Sequence, residues 1–381
     1  MKIYDYLVIG AGSAGCNIAH ILEKKSAKVL VVDKEGIASS ASGAAGAFLS
    51  PLPGKQNLYN SFVNDALKFS LKFYENLLTN GINKKGVLRV PTDNFNDEKL
   101  KNNHLSYKYF TSEYLQKISS NFQDINGYFY ENASIIEPKI VCETLLLKCD
   151  FIKKDIKSLN YIDGYYVFDN FKAKNIILTQ GVSPSLLELP YMNISPIFGL
   201  KIDVKTTTKI PFNIHKNISI STNKIDGTIS IGATSQRHDL QNMKCETTCD
   251  KCEFYSNTDE AQISTLLSQA NELIKLDNIE VVKVYKGARA SIKSYFPVIG
   301  KAINYNLSLV NHPNIQKGTV VESQLLSYHK NIFIMNALGS RGFVFAPYLA
   351  EILSEYILKS KEIPKELSLE KLFYKLARKK T

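Results

Sequence analysis

The chain has 381 residues, enough for two cores rather than one. Its 44% hydrophobic and 22% charged residues are the balance of a globular protein and exclude a disordered, collagenous or disulfide-scaffold class. A net charge of +11 suits a polyanionic partner such as nucleic acid or an anionic membrane, although a lysine-rich composition raises net charge by itself.

From residue 4 an apolar strand (Tyr6–Ile9) runs into Gly10-x-Gly12-x-x-Gly15, a helical stretch, and a second apolar strand (Val29–Val32) that ends at Asp33. Strand, glycines, helix, strand and acid fall in the order of a dinucleotide-binding βαβ unit. The first glycine permits the tight turn, the second lets backbone approach a pyrophosphate, and the third lets helix pack on strand. The phosphates rest on the helix N-terminus, where free N–H groups and the dipole favour anions, and Asp33 is placed to accept from ribose hydroxyls. With the unit starting at residue 4, no room remains for a signal peptide before it, and no later stretch reaches about 18 uninterrupted apolar residues. The expectation is a soluble, cytoplasmic protein without membrane contact.

Next comes Ile37–Leu52, almost all small residues, whose use must lie in close backbone approach to something. Residues 57–82 read as an amphipathic helix, and 85–133 as short strands and polar loops. A helix is expected over 138–149, with strands around Gly164–Phe168 and Asn175–Thr179, the second ending at Gln180-Gly181. Alternating runs between Pro196 and Ala233 suit an antiparallel sheet with one wet face. Residues 258–276 read as a helix and 279–286 as a strand, and Asn331–Leu358 as strand, glycine turn and helix. The expected organisation is two discontinuous domains. Residues 1–56, 134–185 and 300–381 form the nucleotide-binding one; 57–133 and 186–299 form a substrate domain with an insertion at 236–257.

Of six cysteines, Cys16, Cys142 and Cys149 sit in apolar segments and read as small core residues. Cys245, Cys249 and Cys252 cluster in a polar stretch shortly after His238. Three thiolates at that spacing can share a zinc ion or an iron–sulfur cluster, with His238 or solvent as fourth ligand, or can remain free thiols. The six histidines show no paired spacing and read as solvated or core residues, and nothing selects any one of the 21 tyrosines.

Several strings together resemble the D-amino-acid oxidase and glycine oxidase superfamily of FAD enzymes. They most resemble the FAD oxidoreductase half of the bifunctional tRNA 5-methylaminomethyl-2-thiouridine biosynthesis family. The strings are Ala41-Ser42-Gly43-Ala44-Ala45-Gly46-Ala47-Phe48-Leu49-Ser50-Pro51; Asp65–Phe69 with Phe73-Tyr74; Gly287-Ala288-Arg289 followed by Phe296-Pro297-Val298-Ile299-Gly300; and Ala337-Leu338-Gly339-Ser340-Arg341-Gly342 with Ala346-Pro347 and Ala350–Leu353. The resemblance runs from residue 3 to the basic C-terminus, and is poor over 85–130 and 236–257. Two departures stand out: the family's methyltransferase half is absent, and Ser294 stands where the family usually has Asp.

The resemblance implies an α/β fold: an FAD-binding Rossmann-type domain plus an α+β substrate domain built on an antiparallel sheet. It places FAD on Gly10, Gly12, Gly15, Asp33, Lys34, Ala41, Ser42, Gly46, Gly181, Gly339, Ser340 and Gly342. It gives Arg289 the substrate carboxylate and puts Arg341 beside flavin or substrate. The implied activity is an FAD-dependent oxidase that cleaves the C–N bond of a carboxymethylamino group on tRNA wobble uridine and releases glyoxylate, adds no methyl group and leaves its product to a separate methyltransferase. Two rivals stand: an FAD-dependent oxidase or dehydrogenase of a small amine (glycine, sarcosine or a D-amino acid), and a redox sensor built on the cysteine cluster.

Overall fold

The computed structural model describes residues 1–78, 82–183, 186–237 and 259–378. The opening unit forms as its sequence dictates: strand Lys2–Ile9, helix Ser13–Lys24 and strand Val29–Asp33. These two strands pair in parallel, and the sheet grows on both sides with Asp150–Lys153, Phe171–Leu178 and Tyr328–Asn336, all parallel. Side chains alternate between two cores, Val29 and Val31 toward the helices and Leu30 and Val32 toward the opposite face. Strand Val298–Ile303 closes one edge antiparallel to Tyr328–Asn336, and the hairpin Tyr161–Ile162/Tyr165–Val167 borders Phe171–Leu178. Because the five parallel strands share one direction, their carboxyl ends at Gly10, Asp33, Thr179–Gly181 and Asn336–Gly339 lie along one edge, the crevice where doubly wound sheets take ligands.

Helix Leu58–Leu77 packs on helix Gly342–Lys359 through Val63, Ala66, Leu67 and Tyr74. Ser70 Oγ and Tyr74 Oη tie it there by donating to the carbonyls of Val344, at 2.7 Å, and Phe343, at 3.1 Å.

A second, nine-stranded sheet is mostly antiparallel. Its register places Phe129, Leu88, Ile214, Ile220, Ile231, Ile202 and Val284 in one row across seven strands. That row and its neighbours cover an apolar core under helix Glu260–Asn271. One residue away, on the other face, the register aligns Tyr128, Arg89, His215, Ser219, Gly232, Lys201 and Tyr285. The sheet is therefore two-faced, and the polar face is turned toward the small-residue loop.

Two short helices, Asn94–Lys101 and Ser112–Ile118, stand where loops and strands were expected. Their N-caps explain them: Asp93 accepts from Asn96 N–H and Thr111 from Tyr114 N–H. The strand expected over 279–286 extends to Ser291, because Glu280–Ser291 pairs along its whole length with Ser195–Lys205. Arg289 thereby lies on this strand. No helix among the described residues is long and apolar enough to cross a membrane.

Candidate functional site: a cationic pocket beside two helix N-termini

The glycine positions divide by what they make room for. A Cβ on Gly15 would stand 1.8 Å from the Gly10 carbonyl, and one on Gly10, where φ is +110°, 2.6 Å from the Thr179 carbonyl. Both serve the tight strand–helix turn, which Thr179 Oγ1 closes by donating to the carbonyls of Ile9 at 2.9 Å and Gly10 at 2.8 Å. Gly12 is the N-cap of helix Ser13–Lys24 and brings no side-chain acceptor. One orphan donor of that terminus, Ser13 N–H, is met at 2.9 Å by Ser42 Oγ from the small-residue loop. Asp33 accepts from the N–H groups of Ala11 and Glu35, each at 2.8 Å, and Gly36, at 3.0 Å. A carboxylate has about four acceptor positions, so one remains for a hydroxyl. Lys34 is exposed next to it.

The late glycine turn meets this edge. Gly339 has φ of +58°, and helix Gly342–Lys359 has Arg341 at its N-cap and no side-chain acceptor there. A Cβ on Gly342 would stand 3.0 Å from Ser13 Oγ. Two helix N-termini without caps of their own are thus side by side, each a site of positive potential. Asn336 Nδ2 donates to the Gly181 carbonyl at 2.9 Å, joining two carboxyl ends. Beside them Gln180 Oε1 is buried without a partner among the described residues. An extended ligand rich in phosphate and hydroxyl groups suits this edge: open N–H groups, a carboxylate with spare capacity, and an orphaned acceptor for a donor the ligand would bring.

A pocket of about 220 Å³ adjoins the turn, lined by Arg289, Ile197 and Ser291 from the second sheet, Tyr59 from helix Leu58–Leu77, Tyr295, and Leu338–Arg341. The structure thus brings together Arg289 and Arg341, which are 52 positions apart in sequence and on different sheets' elements. Arg289 Nη1 donates to the Thr234 carbonyl at 3.3 Å, and Gly199 leaves space for it: a Cβ there would be 2.7 Å from Arg289 Nη2. Gly287, two residues earlier, lets the strand lie on the small-residue loop, where a Cβ would stand 2.8 Å from Ala41 Cα. Arg341 Nη1 donates to the Ser50 carbonyl at 2.9 Å.

Arg89 and His215 were missed by sequence reading. Arg89 Nη2 donates to Ser50 Oγ at 3.1 Å and the Pro51 carbonyl at 3.0 Å, while its Nε is buried without a partner among the described residues. Burial first, and the neighbouring Arg341 second, push its pKa down to about 9; burial alone lowers that of Arg289, and burial that of Arg341 against a small opposing pull from Tyr59. His215, paired in register with Arg89, is pushed down to about 3 by burial and by the charges of Arg89 and Arg341. It is a neutral imidazole bonded at 2.8 Å to Ser219 Oγ. Among the described residues, none of the three arginines has a carboxylate partner within 4 Å. Three partly buried guanidiniums without an acid make a site whose missing component is an anion.

Cys16 and Cys142 are buried free thiols of the first core, as expected, and burial raises Cys16 well above an ordinary thiol. Cys245, Cys249, Cys252 and His238 lie outside the described residues. Among the described residues no group of three His, Cys, Asp or Glu side chains could hold a metal ion.

The family model described as "FAD dependent oxidoreductase" matches residues 5–356. Proteins described as "tRNA 5-methylaminomethyl-2-thiouridine biosynthesis bifunctional protein MnmC" are similar along nearly the whole chain. That of Campylobacter concisus is 26% identical, covering 92% of this chain and 56% of its own length. That of Leptospira borgpetersenii is 24% identical, covering 97% and 59%. The chain thus spans little more than half the length of these relatives. Among solved structures, glycine oxidase from Geobacillus kaustophilus shares the fold with a TM-score of 0.74 at 16% identity, covering 97% of this chain and 99% of that one. An FAD-bound α-glycerophosphate oxidase from Mycoplasma pneumoniae reaches a TM-score of 0.70 at 16% identity, covering 95% and 96%.

Proposed function

The chain belongs to the FAD dependent oxidoreductase family, and on that premise we propose that it oxidises the carboxymethylamino arm of a modified uridine in tRNA, leaving an aminomethyl group and releasing glyoxylate. The observation that carries this reading is the pair Arg289 and Arg341, without a carboxylate partner among the described residues, in one pocket beside the late helix N-terminus. A secondary amine bearing a carboxylate is a ligand that such a pocket retains, and the similarity to the bifunctional tRNA-modification proteins supports the uridine as its carrier.

Bound FAD supplies the hydride acceptor; the protein supplies position and charge. Gly12, Ser13, Ser42 and Asp33 would hold its phosphates and ribose, and Gly339–Gly342 would hold its ring system. Arg289 would grip the substrate carboxylate with two parallel N–H donors, fixing the adjacent CH₂. That carbon gives up a hydride, the nitrogen lone pair closes to a C=N bond and the nitrogen releases its proton to solvent, so the arm becomes an imine still joined to the uridine. Water adds to the imine carbon and the C–N bond breaks, giving a primary amine on the uridine and glyoxylate. The amine must arrive neutral. Arg89 and Arg341 favour that form by like-charge repulsion, and His215, itself neutral, adds no further charge.

The test is anaerobic flavin reduction in the reconstituted holoenzyme. Reduction by tRNA carrying the carboxymethylamino arm at least 100-fold faster than by free glycine supports the reading. Equal rates would make the protein a small-amine oxidase. Remote contacts to RNA supply the difference in transition-state positioning.

A further inference from the structure

Tyr295 lines the pocket and is 61% exposed. Its backbone φ is +63°, a left-handed conformation that a bulky side chain rarely adopts. The turn is anchored on both sides: Tyr295 N–H donates to the Ile292 carbonyl at 3.1 Å, and the next residue, Phe296, packs against Tyr59 at 5.1 Å and Phe62 at 5.5 Å between ring centroids. The strained residue is thus held with its ring outward. Tyr295 has no aromatic ring against it among the described residues. Above the same cluster, Lys371 of the C-terminal helix Leu369–Ala377 places its Nζ 5.4 Å from the Phe296 ring centroid and is otherwise exposed. The rim therefore pairs an exposed aromatic ring with a cation, the two elements by which proteins hold an unpaired nucleotide.

We propose that Tyr295 is the platform on which the substrate's uracil ring stacks, with Lys371 contacting an adjoining phosphate, while the carboxymethylamino arm descends to Arg289. This rests on the tRNA reading above and deepens it. The pocket's size suits such a platform. At about 220 Å³, with Gly339–Arg341 of its lining also facing the flavin's place, it is below the roughly 300–1,000 Å³ of pockets that enclose a whole drug-sized ligand. It admits the arm, and the base stays at the mouth. Stacking on a ring face needs no hydroxyl, so Tyr295 acts as a positioning residue for base-bearing substrates and contributes nothing to a bare amine.

The experiment compares kcat/KM of wild type, Tyr295→Ala and Tyr295→Phe holoenzyme on tRNA bearing the arm and on sarcosine, which has the amine and carboxylate without the base. Flavin content and Tm serve as controls for folding. Alanine meets the same left-handed strain as tyrosine, so the comparison isolates the ring. Expected is a fall of about 10- to 100-fold in the tRNA-to-sarcosine ratio for Tyr295→Ala, and recovery to within about threefold for Tyr295→Phe. Lys371→Ala is expected to lower the slope of log kcat/KM against log salt by about one. A Tyr295→Ala ratio equal to that of an active wild type overturns the platform. A wild type that does not turn over the tRNA overturns the tRNA reading itself, and that failure shows before any variant is made.

Discussion

Arg341 Nη1 donates to the carbonyl of Ser50 at 2.9 Å, across 291 positions of chain. The bond ties the late glycine turn to the early small-residue loop, and Arg89 grips the same residue through its hydroxyl. The two segments that would flank a flavin are thereby joined by hydrogen bonds as well as by the core that Ala47 and Leu49 share with Leu338 and Phe343. Arg341→Met, which keeps length and removes charge, should retain FAD. It should lower kcat/KM on the arm-bearing tRNA by about 10- to 100-fold, because a charge-assisted contact is lost. Steady-state kinetics well below the variant's Tm separate that loss from unfolding.

Arg289 depends on a residue that makes room for it. Arg289→Ala should fold and bind FAD yet lose about 30- to 1,000-fold in kcat/KM, the equivalent of roughly 2–4 kcal/mol of transition-state binding. Gly199→Ala should reproduce part of the defect with the arginine still present, since its Cβ would crowd Arg289 Nη2 and the Thr234 carbonyl. An unchanged kcat/KM in Arg289→Ala would assign the residue to structure.

Gly12→Val should abolish the yellow colour of the purified protein. The side chain would press on Ser42 Oγ, 3.0 Å from the Cβ position, and cover the open N-terminus of helix Ser13–Lys24. Absorbance near the flavin bands, set against a far-ultraviolet spectrum showing a folded chain, reads this out.

His215 sets the acid limit. Folded, its imidazole is pushed down to about 3 from the usual 6.5. Between those values the unfolded chain binds a proton that the folded chain does not. Stability must therefore fall as pH is lowered from about 6.5 toward 3, at up to about 1.4 kcal/mol per pH unit. Above about 6.5 this contribution is flat. His215→Asn should flatten the decline, and Arg89→Met should shrink it by letting His215 titrate closer to its ordinary value. Tm measured from pH 4 to 7.5 in the three proteins checks the order; equal slopes would remove His215 from the account.

What the sequence made legible was local. Gly10, Gly12 and Gly15 report a turn within one short segment, and Asp33 ends the adjoining strand, so spacing alone reveals the unit. Arg89 and His215 were not legible. They end the three-residue strands Val87–Arg89 and Asn213–His215, and their meeting depends on register between segments more than 100 residues apart. Nor did any periodicity mark the polar row from Tyr128 to Tyr285, because each strand contributes a single residue to it. Arg289 and Arg341 were reached through a resemblance; neither composition nor spacing places them in one pocket. A left-handed Tyr295 has no sequence signature, since φ > 0 is ordinarily sought at glycine or asparagine.

The central claim is the substrate, and nucleoside mass spectrometry addresses it most directly. The FAD-loaded enzyme is incubated with tRNA bearing 5-carboxymethylaminomethyl-uridine, and the tRNA is digested to nucleosides. Expected is conversion to 5-aminomethyl-uridine with one glyoxylate released for each base converted. Wobble nucleosides left unchanged by an enzyme whose flavin is reduced by free glycine or sarcosine would contradict it.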